Sequence, residues 1–158
     1  METYLLSVLA DNNRGVLLRV SGLFSRRGYS IQSISAAQTE NPQISRMTIV
    51  VAATEDTLEQ IVKQLNKLVD IKDVRVLRRR EAVCREHLLV KAAYDQSTKL
   101  SLIKLANHYK AHIVDIAGDN LMLELTGEPG TITEFIGKLE KFGIKKLVKT
   151  GISALERG

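Results

Sequence analysis

The residues best suited to bind a ligand lie near the start of the sequence, in the segment from Asp11 to Leu17. An apolar run ends in the polar residues Asp11 and Asn12, and an amphipathic helix pattern starts directly after Gly15. The first backbone N–H groups of a helix have no acceptor inside the helix, and they carry partial positive charge. Because glycine allows another group close to the backbone, this segment is a candidate site for a carboxylate or a phosphate.

The same segment also fits a plain strand–turn–helix connection. Asp and Asn are preferred N-cap residues, and Gly is common in turns. On these local features alone the structural interpretation is favoured, so the remainder of the chain has to distinguish a ligand site from a simple turn.

The sequence has no group of residues that is typical of a catalyst. Catalysis needs a positioned nucleophile, an acid–base group or a metal, and no Gly-x-Ser-x-Gly, Cys-x-x-Cys or Walker motif occurs. His108 and His112 have the i, i+4 spacing of a helical metal pair. However, Lys110 and Ala111 indicate a helix end, which places His112 in the next strand. We therefore predict no catalytic residue, no metal ligand and no cofactor of the chain's own.

Hydrophobic periodicity predicts how the chain is organised. In residues 1–80 it indicates the order β-α-β-β-α-β, and the same order returns in residues 86–158. This order is typical of a ferredoxin-like sandwich, in which two helices cover one face of a four-stranded antiparallel sheet. We predict an α+β protein with two such sandwiches in tandem, joined by a linker at residues 81–85.

Each of the first two predicted helices has one apolar face. The first helix is expected to end at the basic pair before Gly28, and the second to start near Thr54. The two faces consist of Val16, Val20, Leu23 and Phe24, and of Leu58, Ile61, Val62, Leu65, Leu68 and Val69.

Composition narrows the class of protein. No apolar run is long enough to cross a membrane, and Met1-Glu2-Thr3-Tyr4 lacks the form of a signal peptide. The single cysteine, Cys84, excludes an internal disulfide framework, so we expect a cytoplasmic protein. The net charge is +5, with one basic run at Arg78-Arg79-Arg80, but aromatic residues are only 4%. That scarcity disfavours the aromatic stacking sheet of an RNA-binding protein.

Several phrases of the sequence resemble a known family. The pattern of Asp11, Asn12, Gly15-Val16-Leu17, Arg19-Val20 and Leu23-Phe24 is similar to the signature of amino-acid-binding ACT domains. The segments 25–31, 45–49 and 58–70 narrow the resemblance to the small regulatory subunits of acetolactate synthase. The match is specific over residues 4–80 and weaker in motif beyond residue 86, although the overall length and the ending still agree.

The resemblance implies a role without catalysis. Such subunits activate the catalytic large subunit of acetolactate synthase and confer feedback inhibition by a branched-chain amino acid, usually valine. The thiamine diphosphate, FAD and Mg belong to the catalytic partner. The effector lies between two ACT domains of a homodimer, so residues 1–80 are expected to form the dimer and bind the effector.

The resemblance also implies which residues bind the effector: Asp11, Asn12, Gly15, Val16, Leu17, Ser30 and Ile31. In the family, the polar loop contact falls on Asn12, the close-approach glycine on Gly15, and the amides that meet the carboxylate on Val16 and Leu17. One position departs from the pattern, because many members have Asn where this chain has Ser30. Ser offers one hydroxyl in place of an amide's acceptor and two donors, so effector affinity is expected to be altered.

Three other functions fit the fold less well. A stand-alone ACT-type amino-acid sensor that regulates transcription needs a DNA-binding element, and no segment is left for one. An RNA-binding ferredoxin-like protein predicts salt-sensitive binding at the basic run. An acylphosphatase-like hydrolase needs a catalytic Arg and Asn on an anion-binding loop, and turnover by the isolated chain.

Overall fold

A computed structural model describes residues 1–158, which form two compact units. None of its helices combines the length and the apolar character needed to span a membrane. The elements in chain order are β1 Glu2–Asp11, α1 Val16–Arg27, β2 Ser30–Gln38, β3 Ile44–Ala53, α2 Glu55–Leu65, β4 Ile71–Leu77, β5 Ala82–Ala93, α3 Lys99–Tyr109, β6 His112–Ala117, β7 Asn120–Gly127, α4 Pro129–Leu139 and β8 Ile144–Glu156, with a 3-10 turn at Glu140–Phe142 before β8.

Each unit has one four-stranded sheet and two helices. The strand order is β2-β3-β1-β4 in the first unit and β6-β7-β5-β8 in the second. The central strands β1 and β3 pair antiparallel over ten residues, from Glu2 opposite Ala53 to Asp11 opposite Ile44. The predicted tandem of ferredoxin-like sandwiches is confirmed. His112 opens β6, as expected from the helix end before it.

The first helix buries the face that its periodicity predicts. Val20 and Phe24 are 0% and 1% exposed, and Val16 and Leu23 pack in the same cluster against β1 and β3. The helix ends at Gly28, whose φ of 67° is in the left-handed region. Residues with a Cβ rarely adopt that conformation, so glycine provides the stop predicted there.

The second helix is shorter than its apolar pattern. It starts as predicted, because the Oγ1 of Thr54 accepts a hydrogen bond from the N–H of Thr57. It ends at Leu65, and Val69 is 88% exposed rather than part of the buried face. The Asn66 side chain donates to the carbonyl of Val62 at 3.0 Å, and such a local bond favours leaving the helix. The next residues turn back, which brings Asp70 to the end of β1.

The second unit has its own core. Leu88, Val90, Leu121 and Leu123 of the sheet are at most 1% exposed. They pack under α3 and α4 with Leu102, Ala106, Ile132, Phe135 and Leu139.

The boundary between the two units differs from the prediction. Residues 81–85, predicted to be a linker, lie mostly in β5, which begins at Ala82. The first unit consists of Met1–Cys84 with Ile152–Gly158, and the second of Arg85–Gly151. The physical reason lies on the sheet face of the first unit that the helices leave open. On this face Leu5, Val50 and Leu77 form a small core. Ala82 and Ala154 complete it, which places the start of β5 and the end of β8 in the first unit.

Candidate binding site at the start of the first helix

The loop before α1 ends in a helix start that no side chain caps. Gly15 is the N-cap residue, with φ 83° and ψ 0°, and no side-chain hydrogen bond satisfies the first turn. The N–H of Val16 has only a long bond, 3.4 Å, to the carbonyl of Asn13. Asp11, Asn12 and Asn13 therefore do not cap the helix, which was the structural interpretation of this segment. The first-turn amides remain available to an anion.

Asn12 is held by the turn between β2 and β3. Its backbone N–H donates to the carbonyl of Gln43 at 2.7 Å, and its Nδ2 donates to the carbonyl of Pro42 at 3.0 Å. Both bonds use donors, so the Oδ1 of Asn12 keeps its capacity to accept a hydrogen bond. An ammonium group is a suitable donor to that oxygen.

Asp11 points elsewhere. Its carboxylate forms an ion pair with Lys72 of β4, with Oδ2 and Nζ 3.0 Å apart. It is absent from the lining of the pocket beside the helix start. The resemblance implied Asp11 as an effector-binding residue, whereas the pairing of β1 with β4 brings its side chain to a lysine in the single chain.

A pocket of about 200 Å³ lies beside the uncapped helix start. It includes four of the predicted residues: Asn12, Gly15, Val16 and Leu17. The other lining residues come from the ends of β2 and β3 and from the loop, and they are Asn13, Ala36, Ala37, Gln38, Ser45 and Met47. Sequence reasoning missed the contributions of β2 and β3, because only the sheet topology brings these strand ends to the loop. Ser45 and Met47 could have been predicted, since they belong to the segment 45–49, on which part of the family resemblance rests.

Ser30 and Ile31 are not part of this pocket in one chain. They pair with Ala52 and Val51 at the far end of β3, whereas Ala36 to Gln38 line the pocket. Ala36 lies six positions after Ser30 along the strand, or about 20 Å at the usual rise per residue. A contact between Ser30 and a ligand in this pocket therefore requires a second chain.

A buried carboxylate that the sequence analysis did not assign to the site supports the loop from behind. Asp70 is 6% exposed. Its Oδ2 accepts from the Nε and Nη2 of Arg19 at 2.7 and 2.6 Å, and its Oδ1 from the Nδ2 of Asn13 at 3.4 Å. Its backbone carbonyl accepts from the N–H of Asp11 at 2.8 Å. One residue thus fixes both the loop and the helix that follows it. The only indication of this role in the sequence is that Asp70 is an acidic residue directly before a strand.

The matching turn of the second unit contains a carboxylate of its own, Asp95. The Oδ1 of Asp95 accepts from the N–H and the hydroxyl of Ser97, at 2.8 and 2.6 Å, and from the N–H of Thr98 at 2.8 Å. The Ser97 hydroxyl, followed by these other bonds, lowers the pKa of Asp95 below its usual value. This carboxylate holds the turn just before α3, and α3, like α1, begins without a side-chain cap but has Thr98 where α1 has Gly15.

Family models match both halves of the chain. Residues 6–73 match the AHAS small subunit-like ACT domain, and residues 85–158 match the model described as the small subunit of acetolactate synthase. The two matches follow the two β-α-β-β-α-β copies.

Relatives of known name match over nearly the whole chain. The probable acetolactate synthase small subunit of Methanothermobacter thermautotrophicus is 42% identical, covering 99% of this chain and 94% of that protein. The acetolactate synthase small subunit of Mycolicibacterium smegmatis is 40% identical, covering 99% and 92%. The crystal structure of the small subunit from Thermotoga maritima has a TM-score of 0.92 at 32% identity, covering 100% and 99%. Fold, loop and full-length identity agree, and the chain belongs to the family of acetolactate synthase small subunits.

Proposed function

We propose that the chain is the non-catalytic regulatory subunit of an acetolactate synthase. It binds the catalytic large subunit, raises the turnover of that subunit, and allows a branched-chain amino acid, valine first, to inhibit it. The observation that carries the proposal is the pocket at the uncapped start of α1, in a chain that belongs to the small-subunit family. Thiamine diphosphate, FAD and Mg bind to the large subunit, and the assembly is cytoplasmic.

The pocket has the groups that a free amino acid needs. The amides of Val16 and Leu17 at the helix start suit a carboxylate, and the Oδ1 of Asn12 suits an ammonium group. Met47 and Ala36 offer apolar surface to a short side chain. A volume of about 200 Å³ is below the range of drug-sized sites, which favours a ligand as small as valine.

The effector site is completed by a second copy of the first unit. β2 is an edge strand of its sheet, so its outer hydrogen-bonding groups are free to pair with another chain. In a two-fold pair the same strand serves both partners. Such pairing brings Ser30 and Ile31 of one copy toward the pocket of the other, which no single chain does.

Activation of the large subunit tests the proposal directly. We expect the purified chain alone to form no acetolactate, and its addition to the large subunit to raise turnover until the response saturates. The measurement is acetolactate formation across a titration, with serum albumin at equal concentration as the control protein. Turnover that stays flat across the titration would contradict the regulatory role. Valine binding by the chain combined with flat turnover would favour a stand-alone amino-acid sensor.

Ser30→Asn is expected to strengthen inhibition by valine. Ser30 is exposed at the start of β2, so the larger amide fits without disturbing the core. Across a two-fold interface its oxygen can meet the ammonium group and its NH₂ the carboxylate. One hydrogen bond to a charged group contributes about 1.5–3 kcal/mol before ordering costs. The inhibitory concentration should therefore fall by about tenfold.

The measurement for Ser30→Asn is valine inhibition of the reconstituted enzyme. Ser101→Asn is the matched control, because Ser101 is an exposed serine on α3 of the second unit. An inhibitory concentration that stays the same or rises in Ser30→Asn would remove Ser30 from the effector site.

A further inference from the structure

One arginine lies in an unusual environment. Arg46 of β3 is the only arginine of the chain that is not exposed. Its Nη1 donates to the Oγ of Ser7 at 2.9 Å, and its guanidinium forms no ion pair. By contrast, Arg19 pairs with Asp70, and Arg75 pairs with Asp73 and Glu156.

A partly buried guanidinium with one neutral partner is an incomplete arrangement. Removing a charge from water is costly unless an opposite charge or several hydrogen bonds replace the water. A guanidinium has five N–H donors in a planar fork, and its best partners are carboxylates and phosphates. Arg46 uses one donor on a hydroxyl, which leaves the fork available to an oxyanion.

The surroundings of Arg46 form a second pocket of about 230 Å³. Hydroxyl residues line it with the arginine: Ser35, Thr39, Thr48 and Ser153. Thr48 is 4% exposed, so part of the lining is well buried. Glu40 also borders the pocket, but it is exposed and forms no ion pair with Arg46. Cation, hydroxyl donors and small volume together suit a small oxyanion.

The second pocket and the candidate effector pocket lie on opposite faces of one sheet. Successive residues of a strand point to opposite faces, and β3 follows this rule here. Ser45 and Met47 line the effector pocket, whereas Arg46 and Thr48 line the other. The two pockets meet at the end of β2, where both are lined by Ala37 and Gln38, but Arg46 and the helix start lie on opposite faces of the sheet. The Arg46 site is therefore distinct from the helix start, and its proposed ligand does not depend on the effector function proposed above.

We propose that the Arg46 pocket binds a small oxyanion, a carboxylate or a phosphate, through the guanidinium fork and the neighbouring hydroxyls. The phrase Ser45-Arg46-Met47-Thr48 carried part of the family resemblance, and the effector site accounts for Ser45 and Met47 only. An oxyanion on Arg46 gives a function to the other two residues.

Binding of inorganic phosphate and of pyruvate to the full-length chain tests this site. Calorimetry at constant ionic strength, adjusted with sodium chloride, measures each affinity. We expect at least one of the two anions to bind, and Arg46→Gln to weaken that binding by about tenfold or more, as for loss of a charge-assisted hydrogen bond. Arg80→Gln, a change in the exposed basic run, should leave the affinity within about twofold.

A second pair of variants keeps the test valid even if Arg46→Gln fails to fold. Ser153→Asp places a tethered carboxylate at the pocket and should abolish anion binding, whereas the near-isosteric Ser153→Asn should retain it. Gly15→Asp should retain it as well, because Gly15 lines the other pocket. The proposal is overturned if neither anion binds the wild-type chain, or if Ser153→Asp and Ser153→Asn bind equally.

Discussion

Gly15→Asp is expected to abolish inhibition by valine while the subunit still activates its catalytic partner. The new carboxylate would stand at the helix start where the carboxylate of the effector has to bind. Two like charges about 4 Å apart cost roughly 4 kcal/mol at an effective dielectric of about 20, which is on the order of a thousandfold in affinity. A Cβ at Gly15 meets only the Nη1 of Arg19, at 3.4 Å, so the cost of the substitution to the fold is mainly the backbone strain of the positive φ.

The matched control is Gly15→Asn, which has nearly the same size and carries no charge. Gly15 has φ 83°, and Asp and Asn are the residues other than glycine that best tolerate this region. Both variants therefore share the backbone strain, and the difference between them reports the charge. Inhibition assays of the reconstituted enzyme should show Gly15→Asn retaining a measurable response to valine. Equal loss in both variants would show that the pocket excludes bulk rather than negative charge.

Asp70→Asn is expected to lower the stability of the first unit. The substitution removes the charge that pairs with Arg19 and weakens the bond from Asn13. Hydrogen bonds to charged groups contribute about 1.5–3 kcal/mol, but the Arg19 side chain is 46% exposed and regains water. We expect a loss of about 2 kcal/mol in the free energy of unfolding. That corresponds to a fall of about 4–8 °C in melting temperature for a chain of this size.

Asp73→Asn is the control for Asp70→Asn, three residues further along the same segment. The Asp73 side chain is 40% exposed and pairs with Arg75 at 2.6 Å. Exposed pairs contribute little to stability, so its melting temperature should fall clearly less than that of Asp70→Asn. Calorimetric melting of both variants makes the comparison. If the two variants melt at the same temperature, Asp70 does not support the loop.

Local sequence patterns predicted the elements of the fold because each pattern reports burial of one face. Val16, Val20, Leu23 and Phe24 recur at helical spacing and are all buried. The same kind of pattern predicted that α2 extends to Val69, whereas the helix ends at Leu65. Periodicity contains no information on the hydrogen bond from the Asn66 side chain to the last turn. Leu68 still packs against the core from the turn after the helix, whereas Val69 is exposed.

The candidate site was predictable only where it is continuous in sequence. Gly15, Val16 and Leu17 line the pocket because a glycine before a helix has local consequences. Ala36 and Gln38 line it because β2 is the neighbour of β3, which is a property of the sheet order. The ion pair of Asp11 was not predictable for the same reason, since its partner Lys72 lies 61 positions later in the chain.

The first unit is built from two separate segments of the chain, and this has a consequence for folding during synthesis. Ala154 packs against the sheet face that the helices leave open. Its segment starts at Ile152, which is 68 residues after Cys84, the last residue of the first segment. At rates of about 5–20 residues per second, that separation is about 3–14 s of translation. During this interval the nascent chain exposes Leu5, Val50 and Leu77. The N-terminal half therefore leaves the ribosome first but completes its packing last, with an apolar surface that a ribosome-associated chaperone is suited to cover.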